Sequence, residues 1–222
     1  EAYFHHVEQL SENLLLQAGS FKDGACTTYR CSKDMMIEMQ AGQIIGVSEG
    51  GMDFGAMDSR VPPLAYVNPA RYWSALSGLD PHHLVCAIDY FSPDVRDQLL
   101  GLMGDHTGQT PRTIEPICGE VEQDESGTAQ GSWFLHGTVG IPPFPNTTHL
   151  ALAHDNVDPL LGTFSVGAPV PGLGPFAENF APQTSGGRIN LDFSQVIADG
   201  NIYCYDSWRN RSGDPISHPQ PR

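Results

Sequence analysis

The sequence predicts an all-β fold, a barrel or a sandwich, carrying two or three short helices. Short apolar runs of strand length recur along the chain with turn residues between them. Turn formers are abundant, with Gly at 24 and Pro at 18 in 222 residues. Helix signals are few and short by comparison. Hydrophobic residues make up 40% and charged residues only 17%, enough apolar content for a substantial core. No low-complexity linker divides the chain, so residues 1–222 are read as a single β-rich domain.

The net charge of −15 narrows the partners. A phosphate backbone would be repelled, which argues against nucleic acid. Anionic membrane surfaces are disfavoured for the same reason. No run approaches the roughly 18 apolar residues a membrane helix needs. The acidity reads as a solubility device, or as preparation for a cation or a basic partner.

Taken in order, the first segment has Val7, Leu10, Leu14 and Leu15 near helical spacing, and Gly19 ends it. Cys26 and Cys31 flank a span that suits a local disulfide. Residues 35–40 and 43–48 read as strands, and the glycine-rich stretch 50–60 as an irregular loop presenting Asp53, Asp58 and Arg60. Asn68-Pro69 and Ser92-Pro93 open short helices, because each sets a capping residue before a proline in the first turn. Between them LVCAIDYF, residues 84–91, has the length of a buried strand interrupted by Asp89. Residues 117–123 and 130–139 are expected to pair as a hairpin through DESG, with Trp133, Leu135 and Val139 facing the core. Residues 168–187 show no periodicity and read as a long loop or lid carrying Phe176 and Phe180. Residues 187–193 alternate, with Ile189, Leu191 and Phe193 inward and Arg188, Asn190 and Asp192 outward. A last strand is expected over 201–206. Cys86, Cys118 and Cys204 sit in strand-like runs and read as small buried hydrophobes. The cysteine content, the absence of an initiator Met and two glycosylation sequons at Asn146 and Asn210 read as an exported protein, extracellular or periplasmic.

The chemistry is expected in HLALAHDNVDPLLGTFSVG, residues 149–167, which reads as strand, polar loop, strand. His154 can act as a general acid or base, with Asp155 and Asp89 as candidate partners. Asp155, Asn156 and Asp158 offer hard oxygens suited to calcium, though the usual DxDxDG loop is absent. The same residues can instead form an Asx-type turn that satisfies its own backbone. Asp155 and Asp158 should repel unless Arg188, Arg60 or a calcium ion lies between them. Arg188, Gln130, His136, Asp53 and Arg60 are the candidate ligand-binding residues. There is no GxSxG elbow, HExxH, Walker loop or GxGxxG entering a helix, which argues against nucleotide binding and zincin chemistry. Two readings follow. One is an exported binding domain for a small polar ligand or a glycan, with calcium as its candidate cofactor and Tyr66, Tyr72, Trp73 and Trp208 as stacking faces. The other is a hydrolase or lyase working through His154 and an Asp.

Overall fold

The computed structural model describes residues 1–21, 24–26, 31–72, 80–138, 149–167, 176–183, 186–206, 209 and 215. Val139, Trp73, Trp208 and both sequon asparagines lie outside them. The architecture is all-β with two short α-helices. The chain divides into two compact units, Glu1–Ala56 and Met57–Arg222.

In the first unit, β1 (Ala2–His5) pairs antiparallel with β6 (Asp53–Met57), and β2 (Gln9–Leu10) with β5 (Gly46–Val47). The 53–57 segment was expected to be irregular. Its pairing with β1 supplies the ladder that local glycines do not forbid, and Phe4 stacks on Phe54 at 4.8 Å. Helix α1 (Glu12–Ala18) starts where Ser11 accepts a hydrogen bond from the Leu14 N–H at 3.3 Å. Gly19, at φ 65°, ends it by donating to Leu15 O. Strands β3 (Ala25–Cys26) and β4 (Cys31–Ser32) pair with Cys26 opposite Cys31. Cys26 is disulfide-bonded; the Cys31 side chain lies outside the described atoms.

The second unit begins with irregular chain, the short strand β7 (Leu84–Val85) and a 3-10 turn over Ala87–Tyr90. The expected buried strand over residues 84–91 is therefore cut short. Cys86 is bonded to Cys118, 32 residues away, and the 3-10 turn begins directly after it. This corrects the reading of both cysteines as free buried hydrophobes, and Cys204 is free but exposed. Helix α2 (Pro93–Leu100) forms where Ser92-Pro93 predicts it. Asn68-Pro69 opens only a 3-10 turn, Pro69–Arg71, within the described residues.

The main element is an open antiparallel sheet in the order β11 (Phe176–Phe180), β10 (Gly162–Val166), β9 (His149–His154), β8 (Gly131–Phe134). The β9–β10 pair is the predicted strand-loop-strand, with Gly162 opposite His154 and Val166 opposite Leu150. Three expectations change here. Strand β8 pairs with β9 and not with residues 117–123, which form no strand. Trp133 is 51% exposed, so the expected facing of this arm is reversed. Its indole N–H finds the Ala129 carbonyl at 2.7 Å, a partner that holds the ring on the surface. The third change is that Phe176 and Phe180 belong to a strand, not to a lid. Phe180 is 0% exposed and packs on Phe193, 1% exposed, with ring centroids 5.1 Å apart. Leu152 completes that core, and Tyr205 and Phe164 pack against it. Gly162 is required opposite Phe180, because a Cβ there would lie 2.5 Å from the Phe180 ring.

The 187–193 alternation holds for Arg188, which is exposed, and for Leu191 and Phe193, which are buried, but fails for the rest. Ile189 is exposed, whereas Asn190 and Asp192 are buried. Their side chains are tied inward, Asn190 Nδ2 to Asp206 at 2.7 Å and Asp192 to Ser194 and His154. Residues 201–206 form no strand and contribute one bridge, Ile189 to Cys204.

Candidate functional site

The β9–β10 turn is built by its own side chains. Asp155 Oδ1 accepts the N–H groups of Val157 at 2.7 Å and Asp158 at 2.9 Å. Asp158 Oδ1 accepts the Leu160 N–H at 3.1 Å. The backbone closes the turn, with Asp155 N donating to Leu161 O and Leu161 N to Asp158 O. This is the Asx-turn arrangement the sequence offered. Asp155 Oδ2 accepts from Asn179 Nδ2 at 3.0 Å, and Asn179 in turn accepts from the Thr163 hydroxyl. Asn156 braces a neighbouring segment, accepting the Glu120 N–H and donating to the Glu120 carbonyl. Buried Arg112 donates to Pro116 O at 2.6 Å and to Asn156 O at 2.5 Å. The acids of this turn are thus satisfied by N–H groups. Neither Arg188 nor Arg60 lies between them.

His154 ends β9 with its backbone clamped by Gln123. Its N–H donates to Gln123 Oε1 at 2.7 Å and its carbonyl accepts from Gln123 Nε2 at 3.1 Å. The ring Nε2 lies 3.1 Å from Oδ2 of Asp192. The His154 side chain is 30% exposed, and that of Asp192 is 10% exposed. Asp192 Oδ1 accepts the Ser194 N–H at 2.9 Å and the Ser194 hydroxyl at 2.6 Å. Burial pushes the Asp192 carboxyl up. The Ser194 donors and the His154 ring outweigh burial and bring it below the ordinary carboxylate value. The acid partner of His154 is therefore Asp192, not Asp155 or Asp89.

His154 and the turn line a cleft of about 690 Å³ within this unit. Six carboxylates share its wall: Asp105, Glu120, Glu122, Asp124, Asp155 and Asp158. No Lys or Arg lines it among the described residues. Burial pushes the Glu122 carboxyl up; the Asp124 N–H it accepts pulls the other way, and the charges of Asp124 and Glu120 add to the rise. Asp124 ties two segments together by accepting the N–H groups of Val67 and Ser132, each at 2.9 Å. Tyr66 and Tyr72, also in the lining, are buried and stack on each other at 3.9 Å. They are not free stacking faces for a ligand ring. Burial raises both phenols, Tyr66 to about 12. Hydrogen bonding toward the Ser132 side chain opposes the rise at Tyr72, but among the described residues no atom meets full hydrogen-bond geometry with the Tyr72 hydroxyl.

The remaining sequence candidates are dispersed. Asp89 is exposed in the 3-10 turn and pairs with Arg96 at 2.9 Å. Arg60 pairs with Asp58 at 2.7 Å, and Tyr90 donates to the same carboxylate, which holds Asp58 well below the usual range. Asp53 belongs to the first unit, where its carboxylate lies 3.4 Å from His6. Arg188 is exposed, and its carbonyl accepts the Cys204 N–H. Gln130 and His136 line a second cleft of about 680 Å³, together with Trp133, Phe134 and Arg71. The two clefts share Asp124 and Ser132. Glu120, Glu122 and Gln123 are site residues that sequence reasoning did not select. The alternation of acids at 120, 122 and 124 was the available signal. Among the described residues no group of three or more His, Cys, Asp or Glu is placed to hold a metal ion.

No protein-family model, curated protein or solved structure matches this chain.

Proposed function

We propose that the Met57–Arg222 unit is an exported binding domain whose cleft beside His154 takes a small polar ligand or a glycan. The observation that carries this reading is the cleft itself, a concavity of about 690 Å³ lined by carboxylates, amides and His154. The Asx turn fixes its rim without help from a ligand, as a preorganised site requires. The Cys86–Cys118 disulfide supports an oxidising compartment, extracellular or periplasmic. No helix among the described residues is long and apolar enough to cross a membrane. Calcium at Asp155, Asn156 and Asp158 has weaker support than the Asx turn, because their oxygens already accept backbone N–H groups. The test is a thermal-shift screen of neutral and charged sugars, polyols and small amines. A member of the class should stabilise the wild type but neither Ala153→Trp, which fills the cleft, nor His154→Ala. Stabilisation that survives both substitutions would move the site elsewhere.

A second reading has one observation in its favour, the 3.1 Å contact between His154 and Asp192. An imidazole held by a buried carboxylate at the edge of a cleft is the arrangement a general base needs. On this reading the protein is a hydrolase or lyase, His154 moves the proton and Asp192 orients the ring. Turnover of a bound ligand, abolished in His154→Ala with the fold intact, would favour it. Unchanged ligand after long incubation with stoichiometric protein would sink it.

A further inference from the structure

The cleft beside His154 has walls of one charge sign. Six carboxylates line it, and no Lys or Arg joins them among the described residues. Arg112, behind the turn, is not part of the lining and donates to backbone carbonyls. An anionic ligand would meet a repulsive field, and a neutral one would leave the carboxylates uncompensated.

A separate feature also points to a ligand. Tyr72 is 8% exposed and lines the same cleft, and its buried hydroxyl, with the Ser132 side chain near it, completes no hydrogen bond among the described residues. Buried hydroxyls are nearly always paired, so one left open beside a cavity is a vacant position for a donor or an acceptor. Asp124 and Glu122 act on this phenol electrostatically, so the hydroxyl sits in the field of the acids.

Resting on the binding reading above, we propose that the ligand is a small organic ammonium compound, its N–H donors shared between the cleft carboxylates and the Tyr72 hydroxyl. The apolar part of the wall, with Ala151, Ala153, Val157 and Leu161, suits the methylenes of such a molecule. A compact metal ion fits less well. The acids are spread around the wall without a converging group among the described residues. Asp105, Asp124, Asp155 and Asp158 already accept backbone N–H groups. An ammonium compound can reach the remaining lone pairs one at a time.

The experiment is calorimetric titration of the full chain at low salt with three probes. These are putrescine, its neutral analogue butane-1,4-diol, and calcium chloride. Putrescine should bind saturably and more weakly as salt is added, while the diol gives no heat. Glu122→Gln should weaken putrescine about tenfold, the usual worth of one charge-assisted hydrogen bond. Tyr72→Phe should weaken it by about threefold to tenfold with an unchanged melting temperature, since only an unpaired hydroxyl is removed. Putrescine binding indifferent to both substitutions would overturn the inference. So would equal binding of the diol, or calcium binding that displaces putrescine. A neutral sugar that binds at the cleft while putrescine does not would overturn the ammonium inference and leave the binding reading standing. Silence from every sugar, polyol and amine would sink both.

Discussion

His154 Nε2 lies 3.1 Å from Asp192 Oδ2, joining the end of β9 to a residue 38 positions further along the chain. Asp192 is ionised and fully hydrogen-bonded in the fold, so its charge contributes to stability. Its folded pKa lies below the ordinary 3.8. The contribution is therefore complete above the unfolded value and is lost as pH falls through the folded one. Asp192→Asn should cost about 1–3 kcal/mol near neutral pH, the range for hydrogen bonds to charged groups. The deficit should shrink below pH 3.8. Chemical denaturation at neutral and acid pH measures it, and a deficit that grows with acid would contradict the assignment.

Glu122 has the opposite sign. Its folded pKa is raised above 4.5 because burial and acidic neighbours disfavour the charge. The neutral form stabilises the fold at low pH, and that benefit disappears as pH rises through the folded value. Glu122→Gln keeps an oxygen for the Asp124 N–H and removes the charge. Its melting temperature should exceed that of the wild type at neutral pH and converge with it below 4.5. A variant less stable at neutral pH would show that the carboxylate is compensated in the folded protein.

The turn between β9 and β10 should depend on Asp155 more than on any other residue in it. Asp155→Ala removes the acceptor for two backbone N–H groups and for Asn179. The expected loss is about 2–4 kcal/mol, allowing about 1 for each of the three part-buried hydrogen bonds removed. Asp158→Ala, which frees only the Leu160 N–H, should cost about 1 kcal/mol or less. Equal losses in urea denaturation would contradict this ranking.

Phe180 and Trp133 invert their expected roles. Phe180→Ala should cost about 3–5 kcal/mol as a core truncation, and Trp133→Ala less than about 1. An unfolding midpoint shifted more by the Trp133 substitution would restore the facing expected from the sequence.

Those two residues also mark what was legible in the sequence. The β9–β10 pair was readable because apolar runs flank a turn whose Asp155 and Asp158 side chains cap its own backbone. The helix after Ser92 was readable because Pro93 in its first turn needs no N–H partner. Strand β11 was not, because Glu178 and Asn179 interrupt its alternation, and both are buried by the fold. Trp133 was misread because the pairing partner of β8 is β9, a long-range choice that local alternation cannot express. The site was half legible. His154 and Asp155 were selected from spacing. Asp192 was assigned outward because a strand pattern cannot anticipate a buried carboxylate held by Ser194 and His154. The disulfide between Cys86 and Cys118 is likewise a matter of tertiary proximity.

Reduction should expose that bond's contribution. A loop with 32 residues of separation corresponds to about 3–4 kcal/mol in the chain-entropy model. Cys86→Ser with Cys118→Ser should lower stability by that order, and non-reduced peptide mapping should recover the Cys86–Cys118 link. A cross-link from either cysteine to Cys204 would contradict the pairing.

On the proposed function, the cleft beside His154 is where this protein meets its ligand. Backbone amide shifts of the ¹⁵N-labelled chain, followed while a ligand of the proposed class is added, test it most directly. The amides of Gln123, His154, Asp155 and Asp124 should move first and saturate together. Shifts confined to Gln130, His136 and Trp133, with those of the first cleft unmoved, would place the site in the second cleft and contradict it.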